Sequence, residues 1–225
     1  MDIIFPGIHW IVELMLFGIL FLILLFCCGL RTVRYFWKFP MPAIMGNVIA
    51  AGPYRGRVQP PRMIVDALQC RPGMKIVEIG CGSGFYTVTV AKAIQPDGIV
   101  YAVDIQEGML EKLKHRMESE GIQNITPILA DAEGKIPLDD GSADAVFSIA
   151  VIPEIPDPVI TLKEIGRLMS RDGVFVDSEV IMDPDYPRRT TVIKWANRAG
   201  FVLEKQMGNI FRYALVFKKG ISREP

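Results

Sequence analysis

Histidine and cysteine are scarce in this chain, and neither is arranged to hold a metal. The two histidines are His9 and His115, the four cysteines are Cys27, Cys28, Cys70 and Cys81, and no pair has zinc-ligand spacing. Reduced thiols facing a cytosol fit these scattered cysteines better than a disulfide framework does. Net charge is lacking as well. The 25 basic residues balance 25 acidic ones, so no general attraction to nucleic acid is implied. There are no internal repeats, and no low-complexity tract besides one apolar block. Within the first 30 residues Lys and Arg are missing, while Asp2 and Glu13 are present.

What is present there is apolar. The mean hydropathy of +0.29 is high for a soluble domain, and the first 30 residues supply much of it. Leu14 to Leu30 contains no charge, and counting from Ile11 the stretch has 20 residues, enough at ~1.5 Å per residue to cross a hydrocarbon core of about 30 Å. Arg31, Arg34 and Lys38 follow beside Tyr35, Phe36 and Trp37, the basic and aromatic flank of a membrane interface. We expect a single transmembrane helix in a lipid bilayer, with the residues before it outside and residues 31–225 in the cytoplasm. A signal peptide would need a positive n-region and a small-residue cleavage site, and a buried core helix would need a polar face.

Three regions are expected: residues 1–38 as anchor and flank, 39–61 as connector, and 62–225 as a catalytic domain. The connector holds Pro40, Pro42, Pro53, Pro60 and Pro61, which forbid long regular structure, yet Met41, Ile44, Met45, Val48, Ile49 and Tyr54 are apolar. Pro61 opens a helix through "RMIVDAL" with Ile64, Val65 and Leu68 as its buried stripe. Strands are expected at 74–79, 98–103, 125–129, 143–149, 173–178, 201–206 and 211–218, and helices at 84–95, 106–120, 157–169 and 188–199. Short apolar strands separated by amphipathic helices mean an α/β fold with a mostly parallel sheet. The last two strands, joined at Gly208-Asn209, make an antiparallel hairpin at one edge.

In such sheets ligands bind at the carboxyl ends of strands. The first strand ends in "VEIGCGSGFYT", where Gly80, Gly82 and Gly84 open the next helix. The dinucleotide fingerprint needs glycine at position 85, which is Phe85, and Glu78 would repel a pyrophosphate while suiting a ligand with a cationic end. Cys81 is a small spacer of the loop. Asp104 ends the second strand, placed for ribose hydroxyls, and Asp131 follows the third, placed for an adenine amine; helix caps or turns are the ordinary alternatives. Asp139 to Ser142 form a turn and Asp144 starts the fourth strand.

The stretches "VEIGCGSG", "VYAVDIQEGML", "ADAEGKIPLDDGSADAVFS" and "LKEIGRLMSRDGVFVDSE" together resemble the class I S-adenosylmethionine-dependent methyltransferases, in particular the ubiquinone and menaquinone biosynthesis branch. The resemblance covers residues 72–180 and implies a Rossmann-like, seven-stranded sheet whose last strand is antiparallel. It implies S-adenosyl-L-methionine as cofactor, with Gly80, Cys81, Gly82 and Gly84 along its methionine and ribose portions and Glu78 near the methionine end. Asp104 would take the ribose, Ile105, Asp131 and Ala132 the adenine, and Ser148 to Ala150 would lie below the sulfonium. Arginine 171 and Asp172 stand before Gly173 where that branch usually has Pro-Gly.

Methyl transfer from a sulfonium requires alignment and exclusion of water, with no metal ion and no covalent nucleophile. If the acceptor must lose a proton, Glu154 and Glu179 lie on the carboxyl edge as bases; a loop acid and a solvated strand end are the alternatives. Asp183, Asp185 and Tyr186 stand in a loop over the same edge, and His115 falls in a charged, solvated helix. The expected function is methyl transfer to a lipophilic acceptor (lipid, isoprenoid or quinone). A soluble or protein acceptor, and a non-catalytic cofactor-binding subunit, are the alternatives.

Overall fold

The computed structural model describes residues 8–36, 38 and 53–220. Trp37 and the apolar connector positions between 39 and 52 lie outside the described residues. The chain divides into two compact units, Met1–Lys38 and Phe39–Pro225.

The first unit is one helix, α1 (Ile8–Phe36), which continues six residues past Leu30 through Arg31 and Arg34. Its segment Trp10–Arg34 has a mean hydropathy of 2.9 over its most apolar window, and none of that window is buried. This helix is long and apolar enough to cross a membrane. Leucines, isoleucines and phenylalanines on all sides leave it without a polar stripe, as the sequence requires.

The second unit carries α2 (Pro53–Val58), α3 (Pro61–Leu68), β1 (Lys75–Ile79), α4 (Thr87–Ala93), β2 (Ile99–Asp104), α5 (Glu107–Glu120) and β3 (Ile125–Leu129). It continues through β4 (Ala143–Ile149), α6 (Pro158–Leu168), β5 (Met169–Val180), α7 (Arg189–Arg198), β6 (Phe201–Gly208) and β7 (Arg212–Lys219). The seven strands form one sheet in the order β3-β2-β1-β4-β5-β7-β6. Pairings among β1 to β5 are parallel, and β7 runs antiparallel to both β5 and β6. The fold is therefore the Rossmann-like arrangement of methyltransferases. The antiparallel hairpin forms one edge of the sheet, as expected. β7 sits inside the sheet, and the edge strand is β6.

Each face of the sheet has its own core. Ile64 and Leu68 of α3, Val90 of α4 and Leu113 of α5 pack with Ile76 and Phe147 on one face. Leu162 and Ile165 of α6 and Val192 of α7 pack with Val77, Phe175 and Phe217 on the other. Burial on both faces explains why β1 and β4 read as nearly unbroken apolar runs. Val65, expected in the stripe of α3, is only half-buried, and Ala67 takes the buried place. The helix caps follow the sequence. Asp157 accepts from Val159 N before Pro158 at the start of α6, and Gly121 ends α5 at φ 64°.

β5 begins at Met169, four residues earlier than expected. Ala143 pairs with Met169 and Ala145 with Val174, so residues 170–173 bulge out of register. Gly173 suits this tight place, since a Cβ would lie 3.1 Å from Asp144 O and 3.2 Å from Ser170 O, closer than ordinary van der Waals contact.

Candidate active site

The strand order reverses between β1 and β4, and the glycine turn stands at that switch point, following the carboxyl end of β1. Its three glycines all have positive φ (69°, 52° and 82°) but serve different ends. A Cβ on Gly80 would meet Val151 Cγ2 at 2.4 Å, and one on Gly84 would meet Leu113 Cδ1 at 2.3 Å. Those two glycines let the turn pack against β4's end and α5. Only at Gly82 is there open space, with nothing within 4 Å of the added carbon. Gly82 is thus the position where backbone can approach a ligand.

Asp104 fixes this turn. Its Oδ2 accepts from Gly82 N at 2.8 Å and its Oδ1 from Gln106 N at 2.9 Å. The amides of Gly80 and Cys81 both donate to Val103 O, binding the loop to β2. The carboxylate keeps further lone pairs for a ligand. Burial raises the Asp104 pKa against the lowering effect of these backbone bonds. Glu78 lies beneath, 2 % exposed, accepting from Thr87 Oγ1. Desolvation pushes its pKa well above the carboxylate range, the Thr87 bond opposes that, and the Asp104 charge adds to it. Among the described residues no Lys or Arg pairs with either acid. Two desolvated carboxyls beside an open glycine turn suit a cationic ligand and oppose a pyrophosphate. S-adenosylmethionine, with a sulfonium and an ammonium, meets that requirement.

Cys81 is 5 % exposed, and burial raises its pKa well above the usual thiol value, so it is an inert filler of the turn. Ile105 is 52 % exposed at the end of β2, an apolar side chain free to cover a base. Asp131 is exposed past β3, where its Oδ1 accepts from Glu133 N, closing its own turn. Ala132 is half-buried against the second core. Asp144, expected only to start a strand, accepts from Lys75 N at 2.8 Å.

Ser148 lies near the carboxyl end of β4. Phe147 and Ile149 point into the first core, so the strand's alternation turns Ser148 to the opposite face. Its side chain is fully buried and donates to Asp177 Oδ1 at 3.0 Å, so its hydroxyl is engaged within the sheet. Ala150, just beyond, holds φ at 56°, a left-handed conformation uncommon for alanine.

Of the two candidate bases, Glu179 is fully buried on β5, opposite Tyr213 in register, and is not a solvated strand end. Glu154 sits on a single 3-10 turn (Ile152–Glu154) after β4. Its carboxylate, with those of Asp183 and Asp185, forms a half-buried group whose oxygens lie within 4.8 Å of one another. Sequence spacing did not bring these three together, because β5 separates them.

A further network has no sequence signal. Gln59, in a Pro- and Arg-rich stretch, is fully buried and donates from Nε2 to Ser178 Oγ at 2.6 Å. Tyr86 OH donates to Gln59 O at 3.0 Å, and Ser178 Oγ donates to Tyr213 O at 3.0 Å. The segment before α3 is thereby locked to the glycine-turn helix and to the end of β5.

A mostly parallel sheet with one reversed strand and a glycine turn shaped for a cationic nucleoside places the protein among the class I methyltransferases. The family described as the methyltransferase domain matches residues 71–214, and the chain belongs to it, an S-adenosylmethionine-dependent methyltransferase by family. Protein-L-isoaspartate O-methyltransferase of Methanothermobacter thermautotrophicus is 32% identical over 133 residues, 59% of this chain and 58% of that protein. Demethylmenaquinone methyltransferase of Staphylococcus aureus is 30% identical over 115 residues, 51% of this chain and 46% of that protein. The chain thus spans about half the length of these curated relatives. The crystal structure of an S-adenosylmethionine-dependent methyltransferase from Aquifex aeolicus matches with a TM-score of 0.73 at 20% identity, covering 79% of this chain and 98% of that one.

Proposed function

We propose that the protein is a membrane-anchored methyltransferase that moves a methyl group from S-adenosylmethionine to a lipophilic acceptor. One observation carries this reading. The same chain holds a methyltransferase domain and a 25-residue segment, Trp10–Arg34, of membrane-crossing length and hydropathy. A soluble acceptor gives no reason for such a tether, whereas a lipid, isoprenoid or quinone is confined to the bilayer. The demethylmenaquinone relative supports the same direction by analogy.

In this reading the cofactor lies along Gly80, Cys81, Gly82 and Gly84 with its ribose on Asp104, its adenine against Ile105, Asp131 and Ala132, and its charged end over Glu78. The bound cofactor supplies the electrophilic methyl. The protein's own residues would hold donor and acceptor in alignment and exclude water, so that the methyl passes to the acceptor and the thioether is left as product. Glu154 is the better-placed base where a proton must leave, being half-exposed at the carboxyl edge, while Glu179 is enclosed. The basic flank after the span supports a cytoplasmic domain, the side on which S-adenosylmethionine is made. Regions 1–38, 39–61 and 62–225 act as anchor, connector and catalytic domain.

The isoaspartate relative supports a second reading, a protein carboxylate as acceptor. Incubating the full chain in its native membranes with methyl-labelled S-adenosylmethionine separates the two. Label in the organic extract supports the lipophilic acceptor; label confined to protein refutes it.

A further inference from the structure

The carboxyl edge carries apolar surface that the fold does not use. Immediately after β5, Ile181 and Met182 are 39% and 65% exposed, and in the β6–β7 turn Ile210 and Phe211 are 74% and 56% exposed. The two segments are one surface. Ile181 N donates to Phe211 O at 2.8 Å, and Tyr186 OH donates to Ile210 O at 2.7 Å.

Four arginines flank this tip along the chain or by backbone contact: Arg188 and Arg189 after the β5 loop, Arg212 after Phe211, and Arg57, whose carbonyl Arg212 reaches. Arg189 donates to Asn209 O, Arg188 precedes it, and Arg212 donates to the carbonyls of Arg57 and Val58. None of the four guanidinium groups has a carboxylate within ion-pair distance among the described residues. The acids of the same loop, Asp183 and Asp185, are half-buried and gathered with Glu154 instead. Scattered apolar residues on a surface need no explanation. Four from two hydrogen-bonded loops, with Tyr186 beside them and a rim of uncompensated arginine, have the composition of a segment that inserts at a membrane interface.

We propose that this tip is a second membrane contact, in which Ile181, Met182, Ile210 and Phe211 enter the headgroup region of an anionic bilayer. Arg57, Arg188, Arg189 and Arg212 then meet lipid phosphates. The inference rests on the membrane reading above and adds to it the surface that faces the lipid. Attachment by one helix leaves the direction of the active-site mouth unset, whereas a contact here sets it. The tip follows β5 and precedes β7, two to three strands from β1, so at ~4.8 Å per strand it lies on the order of 10–15 Å from the glycine turn. A lipid-dissolved acceptor entering at the tip need travel only that far.

The test uses the full chain reconstituted in phosphatidylcholine vesicles with and without phosphatidylglycerol. Phe211→Trp adds one fluorophore to a parent whose own tryptophans are Trp10, Trp37 and Trp195. The added emission is expected to be blue-shifted and quenched by dibrominated lipid. Arg57→Gln and Arg188→Gln in that background should each weaken the anionic-lipid dependence roughly 5-fold. If the protein resists carbonate extraction but the added emission stays unquenched, the tip does not touch lipid and this inference fails alone. If carbonate removes the protein from the vesicles, the membrane reading itself fails. A dimeric mass in detergent that Phe211→Asp converts to a monomer would assign the tip to a second copy and overturn the proposal.

Discussion

Asp177 should make this protein less stable at neutral pH than in mild acid. The residue is fully buried on β5, its Oδ1 accepts from Ser148, and its Oδ2 is buried with no hydrogen-bond partner among the described residues. Desolvation raises its pKa from 3.8 to about 7, with the Ser148 bond acting in the opposite direction. Between those two values the folded chain keeps a proton that the unfolded chain has released. Stability therefore falls as pH rises through that window, and the contribution of the protonated Asp177 is fully present below about 4 and lost above about 7. At ~1.4 kcal/mol per pH unit the whole loss is about 4 kcal/mol, a large part of the ~5–15 kcal/mol that holds a domain together. Asp177→Asn keeps an acceptor for Ser148 but leaves two buried N–H donors unsatisfied where the protonated acid leaves one O–H, so the comparison rests on the slope with pH rather than on the absolute stability. Between pH 5 and pH 8 the variant should gain about 3 kcal/mol on the parent, at ~1.4 kcal/mol per pH unit up to the folded-state value of about 7. Urea unfolding of the full chain in mild detergent, followed by near-ultraviolet circular dichroism from pH 5 to 8, measures both. Glu78 and Asp104, also raised, are common to both proteins, so the difference in slope reports Asp177 together with the neighbouring group that titrates with it. A variant whose stability declines with pH as steeply as the parent's would refute the reasoning.

Three further outcomes are expected. Gly84→Ala drives a carbon to 2.3 Å from Leu113 at φ 82° and should cost about 2 kcal/mol or more in thermal unfolding, while Gly82→Ala, facing open space, should cost about 1 kcal/mol of stability yet lower S-adenosylmethionine affinity. Asp104→Ala leaves the Gly82 and Gln106 amides without their acceptor, and titration calorimetry with S-adenosylhomocysteine should show affinity reduced by roughly 1.5–3 kcal/mol; unchanged affinity would remove Asp104 from the site. Arg167 bonds Glu164, Asp140 and the carbonyls of Ile136 and Leu138, so Arg167→Ala should cost about 2–3 kcal/mol by urea unfolding, with Arg167→Lys recovering less than half because lysine lacks the planar fork.

The strands were legible where burial on both faces makes the sequence apolar, as in β1 and β4, and where glycine punctuates, as before α4 and after α5. The start of β5 was not legible. Ser170, Arg171, Asp172 and Gly173 carry turn chemistry, and only pairing of Met169 with Ala143 draws them into a bulged strand. The glycine turn and Asp104 could be found because a ligand loop is local in sequence. Its finer logic could not, since the partners that demand Gly80 and Gly84 are Val151 and Leu113, far along the chain. Polar residues within a strand were the hardest. Glu179 had a solvated strand end as its ordinary alternative, yet it is fully buried with Asp177 and Ser178, where β7 pairs alongside and Gln59 bonds Ser178. Nothing local to Gln59 announces that role.

The place of β7 has a consequence for synthesis. The last strand to be made is not the last in space, and β6 reaches the sheet only through it. Until it arrives, residues 174–180 of β5 present unpaired amides and carbonyls along an open edge. Roughly 40 residues separate the end of β5 from the end of β7, so at ~5–20 residues per second the nascent chain stays in that state for about 2–8 s. A released chain truncated anywhere between residues 181 and 211 would carry an adhesive sheet rather than a smaller working enzyme.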